Sequence, residues 1–177
     1  YHLAQYQNPR KIIGKWMKSG VIIRVKKGLY VTSGSNYSKE LLANLIYGPS
    51  YISMDYALSY YGLILERVDV IDSMTTKRNK RFQTPMGEFG YRHLSQRQYA
   101  VGVDLVPVRE NVGCLMATPE KALMDKLVVY VPELGSIEEC KTCLFEDLRI
   151  DPNRFSKLRL GLFRSIRAAY RRPVCDA

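Results

Sequence analysis

Long apolar runs are missing from this chain of 177 residues; none approaches the ~20 residues that a membrane span needs. Histidine is scarce, with only His2 and His93, and there is a single tryptophan. No glycine-rich phosphate loop, HExxH or GxSxG occurs, so the familiar signatures of nucleotide-binding loops, zinc proteases and serine hydrolases are excluded. Four cysteines (Cys114, Cys140, Cys143, Cys175) are too few and too irregular for a disulfide scaffold and point to a reducing compartment. Cys140-Lys-Thr-Cys143 is half of a zinc site, and Cys114 and Cys175 lie too far away to complete the ribbon spacing. The sequence therefore predicts no metal, no cofactor, no membrane partner and no catalytic residue, in a soluble cytoplasmic protein.

Negative charge is absent from one end. Residues 1–38 contain seven basic residues and no Asp or Glu; the other 139 residues hold 20 basic and 17 acidic ones. Most of the net charge of +10 thus sits in the first fifth of the chain. A field of one sign concentrates polyanions nearby and steers their approach. Apolar residues make up 46% and charged residues 25%, enough apolar surface for a folded core.

The spacing of those basic residues carries the next step. Asn8-Pro9 is a helix start, with Asn as cap and Pro at the first helical position. Ile12, Ile13, Trp16 and Met17 form a helical apolar stripe, and Gly20 supplies the stop. Arg10, Lys11, Lys15 and Lys18 fall on the opposite side. Val21 to Val25 reads as a strand carrying Arg24, Lys26-Lys27-Gly28 as a turn, and Leu29 to Val31 as the returning strand. A short basic helix followed at once by a basic-tipped hairpin is the back half of a winged helix-turn-helix, in which the helix enters the major groove and the wing lies along phosphates. Arg10, Lys11, Lys15, Lys18, Arg24, Lys26 and Lys27 are the expected DNA contacts. The first residue is Tyr1 rather than Met, and residues 1–7 are expected to end a preceding helix, with the first helix of the motif missing or shortened.

These blocks resemble a known family. Tyr6 to Ile13, followed by Gly20 to Val31, is similar to the N-terminal winged helix of AbiEi-type antitoxins. Pro49 to Ser53 with Ala57-Leu58 and Tyr61 to Ile64 resembles the family's second segment. Thr75 to Arg78 with Gly87 to Arg92 resembles its strand pair, and Ala117 to Asp125 its late helix. The blocks occur in the family's order across residues 6–125. The resemblance implies an autorepressor that binds inverted repeats in its own promoter. It also implies an antitoxin of a type IV toxin–antitoxin (abortive infection) system, acting against a co-encoded nucleotidyltransferase-like toxin without requiring direct contact.

Residues 32–37 are polar and glycine-containing, which divides the chain into a DNA-binding part (1–37) and a regulatory part (38–177). The expected fold class is α+β: the winged helix, then a mixed α/β domain with a small, mostly antiparallel sheet and a C-terminal amphipathic helix. Ser38 to Tyr47 reads as a helix with Leu41, Leu42, Leu45 and Ile46 inward. Ser53 reads as the cap of a second helix. Strand character appears over 68–76, 82–84, 87–94 and 101–108. Thr118-Pro119-Glu120 opens a helix with Ala122, Leu123, Leu127 and Tyr130 inward. Glu120 and Asp125 do not make a catalytic pair, because no base or ligand set accompanies them. Asn153 to Tyr170 fits one amphipathic helix with Phe155, Leu158, Leu162, Ile166 and Ala169 along one side.

Two further basic groups are each either a solvated face or a secondary DNA contact: Lys77, Arg78, Lys80 and Arg81 between two strands, and Lys157, Arg164, Arg167 and Arg171 near the end. The leading expectation is a double-stranded operator DNA partner. The alternatives are an RNA-binding module using its thirteen tyrosines as stacking platforms, and a nucleic-acid-processing enzyme, which would need a cluster of acids and a lysine.

Overall fold

Asn8 starts the first helix by accepting the Lys11 amide on its side-chain oxygen at 3.2 Å, and α1 runs Pro9–Lys18. The computed structural model describes residues 7–110, 112–130 and 136–170; residues 1–6, Cys175 and Arg171 lie outside these. Gly20 follows α1 at φ +71°, in the left-handed region that glycine alone enters freely. The chain then enters an antiparallel hairpin, β1 (Ile22–Lys26) and β2 (Leu29–Thr32). Helix and hairpin both form where the sequence predicts them.

The next segments are α2 (Lys39–Ile46), β3 (Ser50–Ile52), α3 (Met54–Tyr60), β4 (Ile71–Thr75), β5 (Lys80–Thr84) and β6 (Gly87–His93). They are followed by α4 (Gln96–Tyr99), β7 (Val103–Arg109), β8 (Val112–Ala117) and α5 (Pro119–Tyr130). Strands β3 to β8 build one six-stranded sheet in the order β5-β6-β4-β3-β8-β7. The protein is thus α+β, with a small antiparallel sheet and a larger mixed one. The larger sheet is mostly antiparallel, as expected, but it also holds two parallel pairings: β3 runs parallel to β8, and β4 runs parallel to β6. β4 and β6 carry a strand signal but no trace of their pairing direction, and β3 and β8 carry no signal at all. β3 is only three residues long and wholly buried, so it shows no alternation, and β8 is built on Gly113, Cys114 and Met116 rather than β-branched residues. The β3–β8 ladder is short, registered by Ile52 opposite Met116. Asn44 of α2 serves the neighbouring backbone, accepting from the Leu115 amide at 2.6 Å and donating to its carbonyl at 3.2 Å.

Helix α2 buries Leu42, Ala43 and Ile46, whereas Leu45 is 53% exposed. The stripe at 42, 43 and 46 is the helical repeat, and Leu45 falls beside it. In α5 the buried residues are Glu120 to Asp125, an entire turn and a half that includes three charged side chains. Tyr130, expected inward, is exposed and instead lies under Lys126 (4.3 Å from ammonium to ring centroid) and Arg92 (5.5 Å).

Lys121 and Asp125 face each other at 3.0 Å with both side chains at 0% exposure. Asp125 also accepts from Ser53 Oγ at 2.6 Å, from the Tyr51 hydroxyl at 3.0 Å and from the Tyr170 hydroxyl. Lys121 donates to the Gln98 carbonyl at 2.7 Å and to Tyr170. Burial pushes the Lys121 ammonium below its usual range, and Asp125 counters that shift. This corrects the reading of Ser53 as a helix cap: it occupies the cap position of α3, but its hydroxyl is turned to Asp125. The next residue, Met54, is held at φ +52°, a strained value for a side-chain-bearing residue.

After residue 135 come α6 (Ile137–Thr142), a π-helical turn (Cys143–Asp147), α7 (Pro152–Phe155) and α8 (Leu160–Tyr170). The single helix expected over 153–170 is therefore two. The break is at Arg159, whose amide donates to Glu120 at 2.8 Å while its guanidinium grips the same carboxylate. Burial opposes ionisation of Glu120, but the Arg159 bonds outweigh it and hold the carboxyl below its ordinary value. On β4, Asp72 lies opposite Gly90 of β6, and a Cβ at position 90 would stand 1.9 Å from the Asp72 carboxylate. Burial raises that carboxyl.

Three outcomes follow for stability. Asp125→Ala leaves the Lys121 charge buried without its counter-ion and should cost about 3–5 kcal/mol in urea unfolding. Tyr170→Phe, which removes one donor, should cost about 1–3 kcal/mol. Glu120, with its lowered folded value, stabilises fully above its unfolded value near 4.5 and loses that contribution as pH falls through the folded value. Glu120→Gln should flatten the loss of stability in that acid window, as measured by melting temperature against pH.

Candidate nucleic-acid interface

The cap at Asn8 and the turn at Gly20 fix how α1 is presented. None of its residues is buried: Ile12, Ile13 and Trp16 are half-buried and Met17 is exposed. With Val21, Ile22, Tyr30 and Val31, the residues Ile13 and Trp16 line an apolar groove of about 510 Å³ between helix and hairpin. Arg10, Lys11, Lys15 and Lys18 are all exposed along the helix, and Arg24 and Lys27 are exposed on the hairpin. No acid interrupts them, since the first acidic residue of the chain is Glu40.

Lys26 behaves differently. Its ammonium is turned inward and donates to the Ile46 carbonyl at the end of α2. The preceding residue, Val25, is buried in the main core, with Ile23, Leu29 and Val31 packed against it. At the other end of the connection, Arg109 of β7 donates to the Asn36 side chain at 3.0 Å. The hairpin is therefore seated on the rest of the protein by an apolar contact and two polar ties.

The second basic group, expected as one cluster, is divided. Lys77 and Arg78 lie in the turn before β5, while Lys80 and Arg81 lie in the strand, whose side chains alternate between faces. Lys77 donates to the Gly48 carbonyl, and Lys77 and Lys80 stand 5.3 and 5.6 Å from the centroid of the Tyr47 ring. Arg81 points to the opposite face and pairs with Glu88. His93 completes the turn: its amide donates to Asn79 at 2.7 Å, and its Nδ1 lies 3.1 Å from the Lys77 carbonyl. Tyr47, Thr76, Lys77, Arg78, Asn79 and His93 line an open hollow there.

The C-terminal end of α2 brings these pieces together. The Ile46 and Gly48 carbonyls receive Lys26 from the hairpin and Lys77 from the β4–β5 turn, on either side of Tyr47. Cations suit this place because the last carbonyls of a helix carry partial negative charge. The hairpin and the turn thus form neighbouring basic surfaces. Tyr47 and the two carbonyls escape sequence reasoning, because nothing in the local pattern joins residues 26, 46 and 77. The third basic group lies on another element. Lys157 is exposed before α8, and Arg164 and Arg167 are exposed on it.

Among the described residues no group of three or more His, Cys, Asp or Glu could hold a metal ion, and no helix is long and apolar enough to cross a membrane. No family model matches the chain, and no curated protein matches it.

The different employment of adjacent lysines is measurable. Lys26→Met should lower unfolding stability by about 1 kcal/mol through loss of a part-buried hydrogen bond. Lys27→Met, at the exposed turn, should change it by less than about 0.5 kcal/mol.

Proposed function

We propose that this protein is a DNA-binding transcriptional regulator, with α1 as the recognition helix and β1–β2 as the wing of a winged helix-turn-helix. The observation that carries this reading is the exposed set of Arg10, Lys11, Lys15, Lys18, Arg24 and Lys27 on a capped helix and the hairpin that follows it. A helix of this kind fits the major groove, and its flanking cations neutralise phosphates on either side. Lys77, Arg78 and Lys80, beside the wing, extend the same surface, whereas Lys157, Arg164 and Arg167 belong to a different one. The ordered resemblance to AbiEi-type antitoxins supports autorepression through promoter inverted repeats, read by residues 1–37, and a second role carried by residues 38–177, neutralisation of a co-encoded nucleotidyltransferase-like toxin. That role rests on resemblance, since one fold hosts many functions.

The deciding experiment is binding to a duplex carrying the protein's own promoter, with single-stranded RNA as competitor. Arg10→Ala with Lys15→Ala should abolish binding to the duplex while leaving a folded protein. Replacing Arg24 or Lys27 by Ala should weaken operator and unrelated duplex alike and flatten the slope of log K against log salt by about 0.9 per lost phosphate contact. Lys26→Met should weaken binding without changing that slope, because its charge is engaged by Ile46 rather than by phosphate. Displacement of the duplex by RNA, or full binding by the double variant, would overturn the reading.

A further inference from the structure

Cys140 lies in α6 and Cys143 opens the π-helical turn that continues it, one helical turn further along. Both thiols are free. Cys140 is half-buried and reachable, while Cys143 is only 6% exposed. The Cys143 amide donates to the carbonyls of both Cys140 and Glu139, which tightens the turn between the two cysteines. The Leu148 amide then returns to the Cys143 carbonyl at 2.9 Å, so the helical register changes at Cys143 itself. Lys141, between them, is engaged by Glu138 at 2.7 Å.

Positions three apart on a helix hold their Cβ atoms about 5–6 Å apart, and a disulfide needs about 3.5–4.5 Å. Closure therefore asks for a shift of ~1–2 Å, and a change of register is where a helix yields most readily. With no third ligand among the described residues, the pair is not completed as a metal site.

We propose that Cys140 and Cys143 are a dithiol couple that exchanges with small-molecule disulfides and closes to an intramolecular disulfide. The Cys140 thiolate attacks one sulfur of the small disulfide, forms a mixed disulfide and expels the other half as a thiolate. Cys143 then gives its proton to solvent, attacks the Cys140 sulfur and expels the second half. Two protein thiols are oxidised by two electrons, and the small disulfide is reduced to two thiols. The order of attack follows from access: Cys140 is reachable, while burial shields Cys143 and raises its thiol, so Cys143 reacts only with a sulfur already held one helical turn away. Cys114 is buried on β8 and pushed up to about 11, chiefly by burial, which keeps it out of the exchange. The closed bond would fasten α6 to the turn that carries Leu144 and Ile150 into the core.

The test uses the full chain and 4,4′-dithiodipyridine, an uncharged disulfide whose released thiopyridone absorbs light. The expected result is two thiopyridones from this pair. The peptide spanning both cysteines should be lighter by the mass of two hydrogens and carry no adduct. Cys143→Ser should leave the pyridyl adduct stranded on Cys140, and Cys140→Ser should protect Cys143 from reaction. A lasting adduct on Cys140 in the unaltered chain, an unreactive Cys140, or closure with Cys114 or Cys175 instead would overturn the proposal.

Discussion

Lys121 and Asp125 sit one turn apart in α5 with no solvent access, and the placement of three other elements follows from the partners this pair requires. An ion pair taken out of water loses several kcal/mol of hydration per charge unless each remaining lone pair and proton is satisfied. Satisfying Asp125 draws Tyr51 and Ser53 from β3 and its end, and Tyr170 from the last turn of α8. Satisfying Lys121 draws the Gln98 carbonyl from α4. Burial and the nearby Asp125 push the Tyr51 and Tyr170 hydroxyls well above their usual range, so both stay neutral and able to donate. Ser53 gives up helix capping to take part, and Met54 accepts a left-handed backbone beside it.

That pattern explains which parts of the fold are legible in the sequence. Asn8, Pro9, Gly20 and Gly28 act locally, and the helix and hairpin they bound appear as expected. Ser38 caps α2, and Gly62 at φ +70° ends α3 region, again through local chemistry. What is not legible is decided at a distance. Ser53 has every local mark of a cap, yet a carboxylate 72 positions later takes its hydroxyl. Residues 153–170 carry an amphipathic repeat that Arg159 and Leu160 interrupt only slightly, yet Glu120 takes the Arg159 amide and splits the helix there. The parallel pairing of β3 with β8 joins positions 52 and 116 and leaves no periodic trace in three buried residues.

The basic surface shows the same division. Its residues are visible from charge alone, because an acid-free stretch of 38 residues needs no structure to recognise. Their employment is not. Lys26 and Lys27 are neighbours of the same chemistry, but only Lys26 reaches the carbonyl that ends α2. Arg81, continuous with Lys80 in sequence, is carried to the other face by the two-residue repeat of a strand and neutralised by Glu88. Charge identifies the set, and the ends of secondary-structure elements decide which members stay unengaged by the protein's own carbonyls and carboxylates.

The contact between Asp72 and Gly90 has a consequence for tracing ancestry. The carboxylate occupies the space where any other residue at position 90 would place its first side-chain carbon. The two positions are 18 residues apart in sequence yet cannot drift independently: a larger residue at one requires a smaller residue at the other. Any residue but glycine at position 90 has to turn the Asp72 carboxylate out of that space, so the two positions are read together when substitutions in this sheet are compared.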